Sequence, residues 1–298
     1  MTFANMIDML TVNPCIKTAM KASPHTFDSL LSDKLTTDML PNFIYGSYTG
    51  LAVTVFGLVP TITAMFGKSI LPSLAESCAK NDKKAMQSGL TKMLIVTSII
   101  AIPAGMGIAV LSEPILRFLF GGRETEIQVC IMPLSILGIA VIFLAIATPC
   151  FAILQTLGKP HKAIIIMLAG GIIKLFLNII LIRQPIINIS GAAISTLVSE
   201  VFICVLSVHS VCKMTDLKPK VSEIFVKPTY AAIMCSVTTI LSHETLTKIA
   251  HLQINHRFVT LFSIGIGSTM YFFCLYLLCE TPKNIVNYIF SKKNPQNP

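Results

Sequence analysis

The chain has 298 residues, of which 53% are hydrophobic and only 12% charged, with a formal net charge of +9 and a mean hydropathy of +0.75. A soluble domain carries about 25% charged residues, so a water-soluble globular protein is excluded. The lysines lie between apolar runs rather than on a basic stripe with interleaved aromatics, so no nucleic-acid surface is expected.

The apolar residues come in runs near twenty, the length of about 30 Å that a helix needs to cross a bilayer. Alternating ten-residue segments of a transmembrane β-barrel are absent. The fold class expected is therefore all-α, a polytopic transmembrane helical bundle of about seven spans. The first forty residues lack the basic and apolar regions of a signal peptide. Phe3–Val12 is apolar but too short to span, and Thr11–Pro41, with Pro14 and Pro24, reads as an exposed loop with at most a short helix.

Spans are expected over residues 45–66, 90–111, 130–154, 163–182, 191–212, 226–241 and 258–279, with residues 1–44 before the bundle and a tail at 280–298. Pro60 in the first span and Pro103 in the second each remove a backbone hydrogen bond and are expected to act as hinges. The first helix should run past Gly67 towards Ala79, Lys80–Lys84 should be a charged loop, and Ser112–Val129 a second loop. The sixth span is expected to close early, at His243 and Glu244.

Loops 67–92, 155–162 and 213–227 with the tail hold fourteen lysines and arginines, against five in loops 112–130, 183–190 and 245–257. Positive loops stay inside, which puts the C-terminus in the cytoplasm and the protein in the cell membrane. Nine scattered cysteines form no C-x-x-C pair, and the six histidines no H-E-x-x-H. They read as buried thiols, with no metal site and no cofactor.

The fourth span, AIIIMLAGGIIKLFLNIILI (Ala163–Ile182), is the most informative. Lys174 lies just past its middle, and an ammonium there costs roughly 2.5–3.5 kcal/mol unless it faces protein or water. Gly170, Lys174 and Asn178 are spaced by four and share one face, the small residue permitting close approach of a neighbour. In the fifth span Glu200 is the other deep charge, with Ser195 and Ser199 on the same polar side. Counted from their cytoplasmic ends, Lys174 and Glu200 both lie about 16–18 Å deep. They are expected to form an intramembrane pair that titrates or opens during transport, with a structural ion pair as the plainer reading.

Five strings occur in order: YGSYTGLAVTVFGLVPTITAMFGKSILPSLAES around Gly46–Ser77, IAIPAGMGIAVLSEPILRFLFG (Ile100–Gly121), FAILQTLGKP (Phe151–Pro160), GGIIKLFLNIILI (Gly170–Ile182) and ISGAAISTLVSE (Ile189–Glu200). Together they resemble the exporters of lipid-linked oligosaccharides in the multidrug/oligosaccharidyl-lipid/polysaccharide flippase superfamily, the group that includes stage V sporulation protein B and the lipid II flippases. The resemblance covers roughly Met1 to Cys279. It implies about fourteen helices in two lobes around a central cavity. The seven spans here would then be the second lobe, FANMIDML (Phe3–Leu10) the end of the helix that opens it, and the chain a C-terminal fragment whose first lobe is missing or supplied in trans.

The resemblance further implies alternating access and a polyprenyl-diphosphate substrate that carries sugar or muropeptide. A diphosphate needs cations and hydrogen-bond donors in a low-dielectric cavity. Lys174 and Asn178 suit that role, and Gln155 at the cytoplasmic mouth could contact a headgroup. One departure is that Thr49–Thr63 carries no basic residue, whereas lipid II flippases carry an important arginine in the equivalent helix. The alternative within the superfamily is a cation-coupled multidrug exporter using Glu200 as its coupling carboxylate. A membrane-embedded glycosyltransferase is a third reading. The charges of Ser112–Val129 show no nucleophile with its base, so no enzyme is expected.

Overall fold

The computed structural model describes residues 3–22, 38–80, 82–216, 222–250 and 256–278. Among them every regular element is a helix: α1 (Phe3–Ala22), α2 (Leu40–Ser47), α3 (Val53–Ala79), α4 (Lys83–Val110), α5 (Ser112–Phe120), α6 (Glu124–Thr156), α7 (Pro160–Leu181), α8 (Ser190–Thr215), α9 (Lys227–Ala250) and α10 (His256–Leu278). A π-helical turn at Tyr48–Ala52 joins α2 to α3, and another at Ser222–Val226 leads into α9. Seven stretches are long and apolar enough to cross a membrane, as the composition requires. All-helical spanning follows from the bilayer, where a backbone must satisfy its own hydrogen bonds.

The long helix α6 is the hub. One core gathers α1 to α6 with the facing ends of α7 and α8, and a second joins α3, α4, α6, α7 and α8. A third, smaller core holds α9 and α10 against α4, where Tyr271 Oη donates to the Ile99 carbonyl at 2.8 Å. Glycines allow a close crossing between α4 and α6: a Cβ on Gly138 would lie 2.5 Å from Ala109 N, and one on Gly105 2.6 Å from Gly138 O. Ser135 Oγ donates to Ala109 O at 2.8 Å at the same crossing.

The helices outrun their apolar windows, and several loop expectations are corrected. Asp82 caps α4 by accepting from Ala85 N at 3.0 Å, so Lys83 and Lys84 are its first turn rather than loop. Ser112–Val129 is helical over α5 and the start of α6, and Arg117 bridges the two by binding Glu113 at 2.9 Å and Glu124. The Glu113 carboxylate raises the Arg117 guanidinium above its ordinary value. His243 and Glu244 do not close the sixth span, because α9 runs on to Ala250. Charges beyond the hydrocarbon are hydrated, and the helix backbone continues regardless of them.

The largest correction is at the start. Thr11–Ala22 is the second half of α1, which passes through Pro14, and the helix buries Ile7, Asp8, Thr11, Val12, Cys15, Ile16 and Ala19 along one stripe. The 3–4 spacing of those positions is a helix signal that the polar residues between them obscure. The rest of the expected loop, at 23–37, and the tail at 280–298 lie outside the described residues.

Candidate functional site

The buried face of α7 carries Gly170, Lys174 and Asn178, the three residues whose spacing set them on one side. At Gly170 a Cβ would run into the Ile203 side chain, and Ser199 Oγ donates to the Gly170 carbonyl at 2.8 Å. The absence of a side chain thus lets α8 approach until its serine reaches the α7 backbone. Gly191 repeats this at the far end, where a Cβ would lie 2.9 Å from the Leu181 carbonyl carbon.

Against this pair lies α1. Lys174 Nζ donates to Asp8 Oδ2 at 2.7 Å, and Asn178 Nδ2 donates to Asp8 Oδ1 at 2.9 Å. The same amide reaches Thr11 Oγ1 at 3.0 Å, while Asn178 Oδ1 accepts from Ser195 Oγ. Thr11 Oγ1 in turn donates to the Ile7 carbonyl at 2.7 Å. Lys174 is 2% exposed, Asp8 3% and Asn178 0%. Removing two charges from water costs several kcal/mol each, which only good geometry and further hydrogen bonds offset. Here both Asp8 oxygens are bound and Asn178 uses donors and acceptor alike, so the polar knot is closed around the pair.

The expected Lys174–Glu200 pair is therefore corrected: the ion pair of Lys174 is with Asp8, 166 residues away in sequence. Asp8 lies on α1, outside the seven apolar spans, and depth within those spans does not reveal it. It is the only acidic residue of α1, on the same stripe as Val12 and Cys15. Glu200 is 6% exposed, and its Oε2 has no hydrogen-bond partner among the described residues. It remains in electrostatic range of Lys174.

The other expected site residues stand apart from the knot. Gln155 is exposed at the end of α6, where the chain turns through Gly158 at φ 70° into α7. Lys174 lies fourteen residues beyond the start of α7, about 20 Å along its axis. Pro60 and Pro103 lie inside α3 and α4, which run through them unbroken.

Residues 45–260 match the family model described as Lipid II flippase MurJ. Among curated proteins, the Probable low-salt glycan biosynthesis flippase Agl15 of Haloferax volcanii is 27% identical over 61% of this chain and 38% of its own length. The Lipid II flippase MurJ of Bacillus subtilis is 26% identical over 46% of this chain and 25% of its own. Stage V sporulation protein B of the same organism is 23% identical over 60% and 34%. Among solved structures, an inward closed conformation of Lipid II flippase MurJ superposes with a TM-score of 0.64 at 18% identity, over 82% of this chain and 50% of that one. An inward-facing multidrug resistance MATE family transporter gives 0.54 at 14%, over 88% and 56%. The matched region is a quarter to two fifths of these curated relatives and about half of the solved chains.

Proposed function

The chain belongs to the Lipid II flippase MurJ family, and on that premise we propose that it serves in moving a polyprenyl-diphosphate-linked sugar or muropeptide across the cell membrane. The observation that carries this reading is the family match over residues 45–260, which takes in α3 to α9. Cation-coupled multidrug export fits less well, since the MATE transporter superposes at 0.54 against 0.64. The role proposed is transport by alternating access rather than catalysis. The C-terminus lies in the cytoplasm, and a first lobe, in cis or in trans, completes the cavity.

Within this reading Lys174 and Asn178 are the cation and donor that a diphosphate meets once Asp8 is displaced, and Gln155 contacts a headgroup at the cytoplasmic mouth. Glu200 is the coupling carboxylate, and Pro60 and Pro103 are the points about which α3 and α4 bend. A diphosphate binds fixed cations most strongly where water is excluded, which is the setting of Lys174.

The test is native mass spectrometry of the purified chain with undecaprenyl diphosphate. Binding that Lys174→Gln weakens about tenfold or more supports the reading. If wild type and Lys174→Gln bind the diphosphate and the monophosphate alike, the substrate assignment is wrong.

A further inference from the structure

Lys174 is bound to one carboxylate while a second lies in its electrostatic range. Asp8 has both oxygens engaged, by Lys174 Nζ and Asn178 Nδ2. Glu200 is buried on α8 with Oε2 unpartnered among the described residues. A buried carboxylate oxygen without a donor is costly, and such an arrangement persists where another state satisfies it.

The three helices that carry these charges are not held alike. Ser199 bonds to the Gly170 carbonyl, Ile203 fills the space over Gly170, and Ser195 bonds to Asn178, so α7 and α8 form one unit. The helix α1 meets that unit through the polar bonds of Asp8 and Thr11, joins α2 through Asn13 Nδ2 donating to Asn42 Oδ1 at 3.0 Å, and packs Val12, Cys15, Ile16 and Ala19 into the first apolar core. Lys174 carries its ammonium on a flexible four-carbon stem, and the Ser199–Gly170 and Ser195–Asn178 bonds set a register that places Glu200 about one helical turn from it on α8.

We propose that Glu200 is the second seat of the Lys174 ammonium, which passes from Asp8 to Glu200 when α1 separates from the α7–α8 unit. The exchange keeps the ammonium paired throughout, and Asp8 emerges with the moving helix to be hydrated. The device has two discrete states, which is what a bistable packed element requires. It needs no substrate and goes beyond the flippase reading, in which a diphosphate would take the ammonium from Glu200 rather than directly from Asp8. It assigns α1 as the part that moves and Glu200 as the residue that makes its departure tolerable.

The test is hydrogen–deuterium exchange of the full chain in nanodiscs for wild type, Asp8→Asn, Glu200→Gln and the double variant. Asp8→Asn is expected to speed exchange in α1 about tenfold while amides around Lys174 stay within about twofold, because Glu200 takes the ammonium. Glu200→Gln alone leaves both helices within about twofold. In the double variant α7 exchanges faster than the product of the two single effects, a non-additivity that reports the shared ammonium. An α7 effect equal to that product overturns the proposal, as does loss of α7 protection in Asp8→Asn alone. Should the double variant fail to fold, recovery in Asp8→Asn/Lys174→Met/Glu200→Gln supports the proposal, and failure to recover overturns it.

Discussion

Two helical hairpins, the first the more apolar, use their polar residues in different ways. In α7–α8, Lys174, Asn178, Ser195 and Ser199 all bond across helices. In α9–α10 the Tyr271 phenol crosses to α4, while serine and threonine hydroxyls turn back on their own helix: Ser236 donates to Ala232 O at 2.9 Å, Thr238 to Met234 O at 2.8 Å and Ser263 to Val259 O at 2.8 Å. The second hairpin presents Phe262, Phe272, Phe273 and Tyr276 outward and meets the bundle through α4 and α5. Back-bonded hydroxyls are close to neutral in a membrane helix, whereas cross-helix bonds fix register and partner. Both hairpins turn apolar side chains outward, Phe176 and Ile180 of α7 among them, and the cross-helix bonds are what set the first apart.

That contrast breaks most visibly at Lys174. Removing the ammonium leaves Asp8 buried beside Asn178 with no compensating cation, and breaking a buried pair from one side costs about 3–5 kcal/mol. Lys174→Ala is expected to lower the thermal midpoint, followed by circular dichroism in detergent, more than any single substitution in α9–α10. Asp8→Asn combined with Lys174→Met should recover most of the loss, since neither charge then remains. A Lys174→Ala protein with an unchanged midpoint would show that Asp8 is already solvated, and the knot would lose its structural standing.

The same site shows what the chain discloses by itself and what it hides. The seven apolar windows, the shared face of Gly170, Lys174 and Asn178, and the close approach at Gly170 are local properties, written in spacings of four. The partner of Lys174 is not local. Asp8 lies 166 residues away in a helix whose burying stripe is interrupted by Asn13, Pro14 and Lys17, and hydropathy averaging erases it. Reading α1 by its period rather than by its mean would have placed Asp8, Thr11 and Cys15 on one side, and so offered a second acid. Depth alone could not choose between two carboxylates, because depth says nothing of which helix is adjacent.

A smaller effect separates Gly170 from Gly265, whose neighbour Gly267 is the close approach of α10 to Thr239 of α9. Gly170→Val drives two methyl groups into Ile203 and Ser199, and overpacking of this kind costs about 1–3 kcal/mol. Gly265 in α10 has open space where its Cβ would go, so Gly265→Ala is expected to be neutral or to gain up to about 1 kcal/mol from helix propensity. Resistance to unfolding in mixed detergent–SDS micelles measures both on one scale. Equal losses at the two positions would mean that α7 and α8 are free to part, and that the close approach at Gly170 is not what joins them.

The finest cut uses serine in both places. Ser199→Ala removes a donor from the Gly170 carbonyl, which is already committed within α7, so the expected loss is only about 1 kcal/mol. Ser236→Ala removes a hydroxyl that serves its own backbone, and its expected effect lies within about 0.5 kcal/mol of zero. The sign of the difference matters more than its size. If Ser199→Ala is the costlier, the bond between α7 and α8 adds to the steric fit at Gly170, and the pair moves as one body against α1. If Ser236→Ala is the costlier, buried hydroxyls in this protein stabilise helices from within, and the distinction between the hairpins rests on the Asp8–Lys174 charges alone.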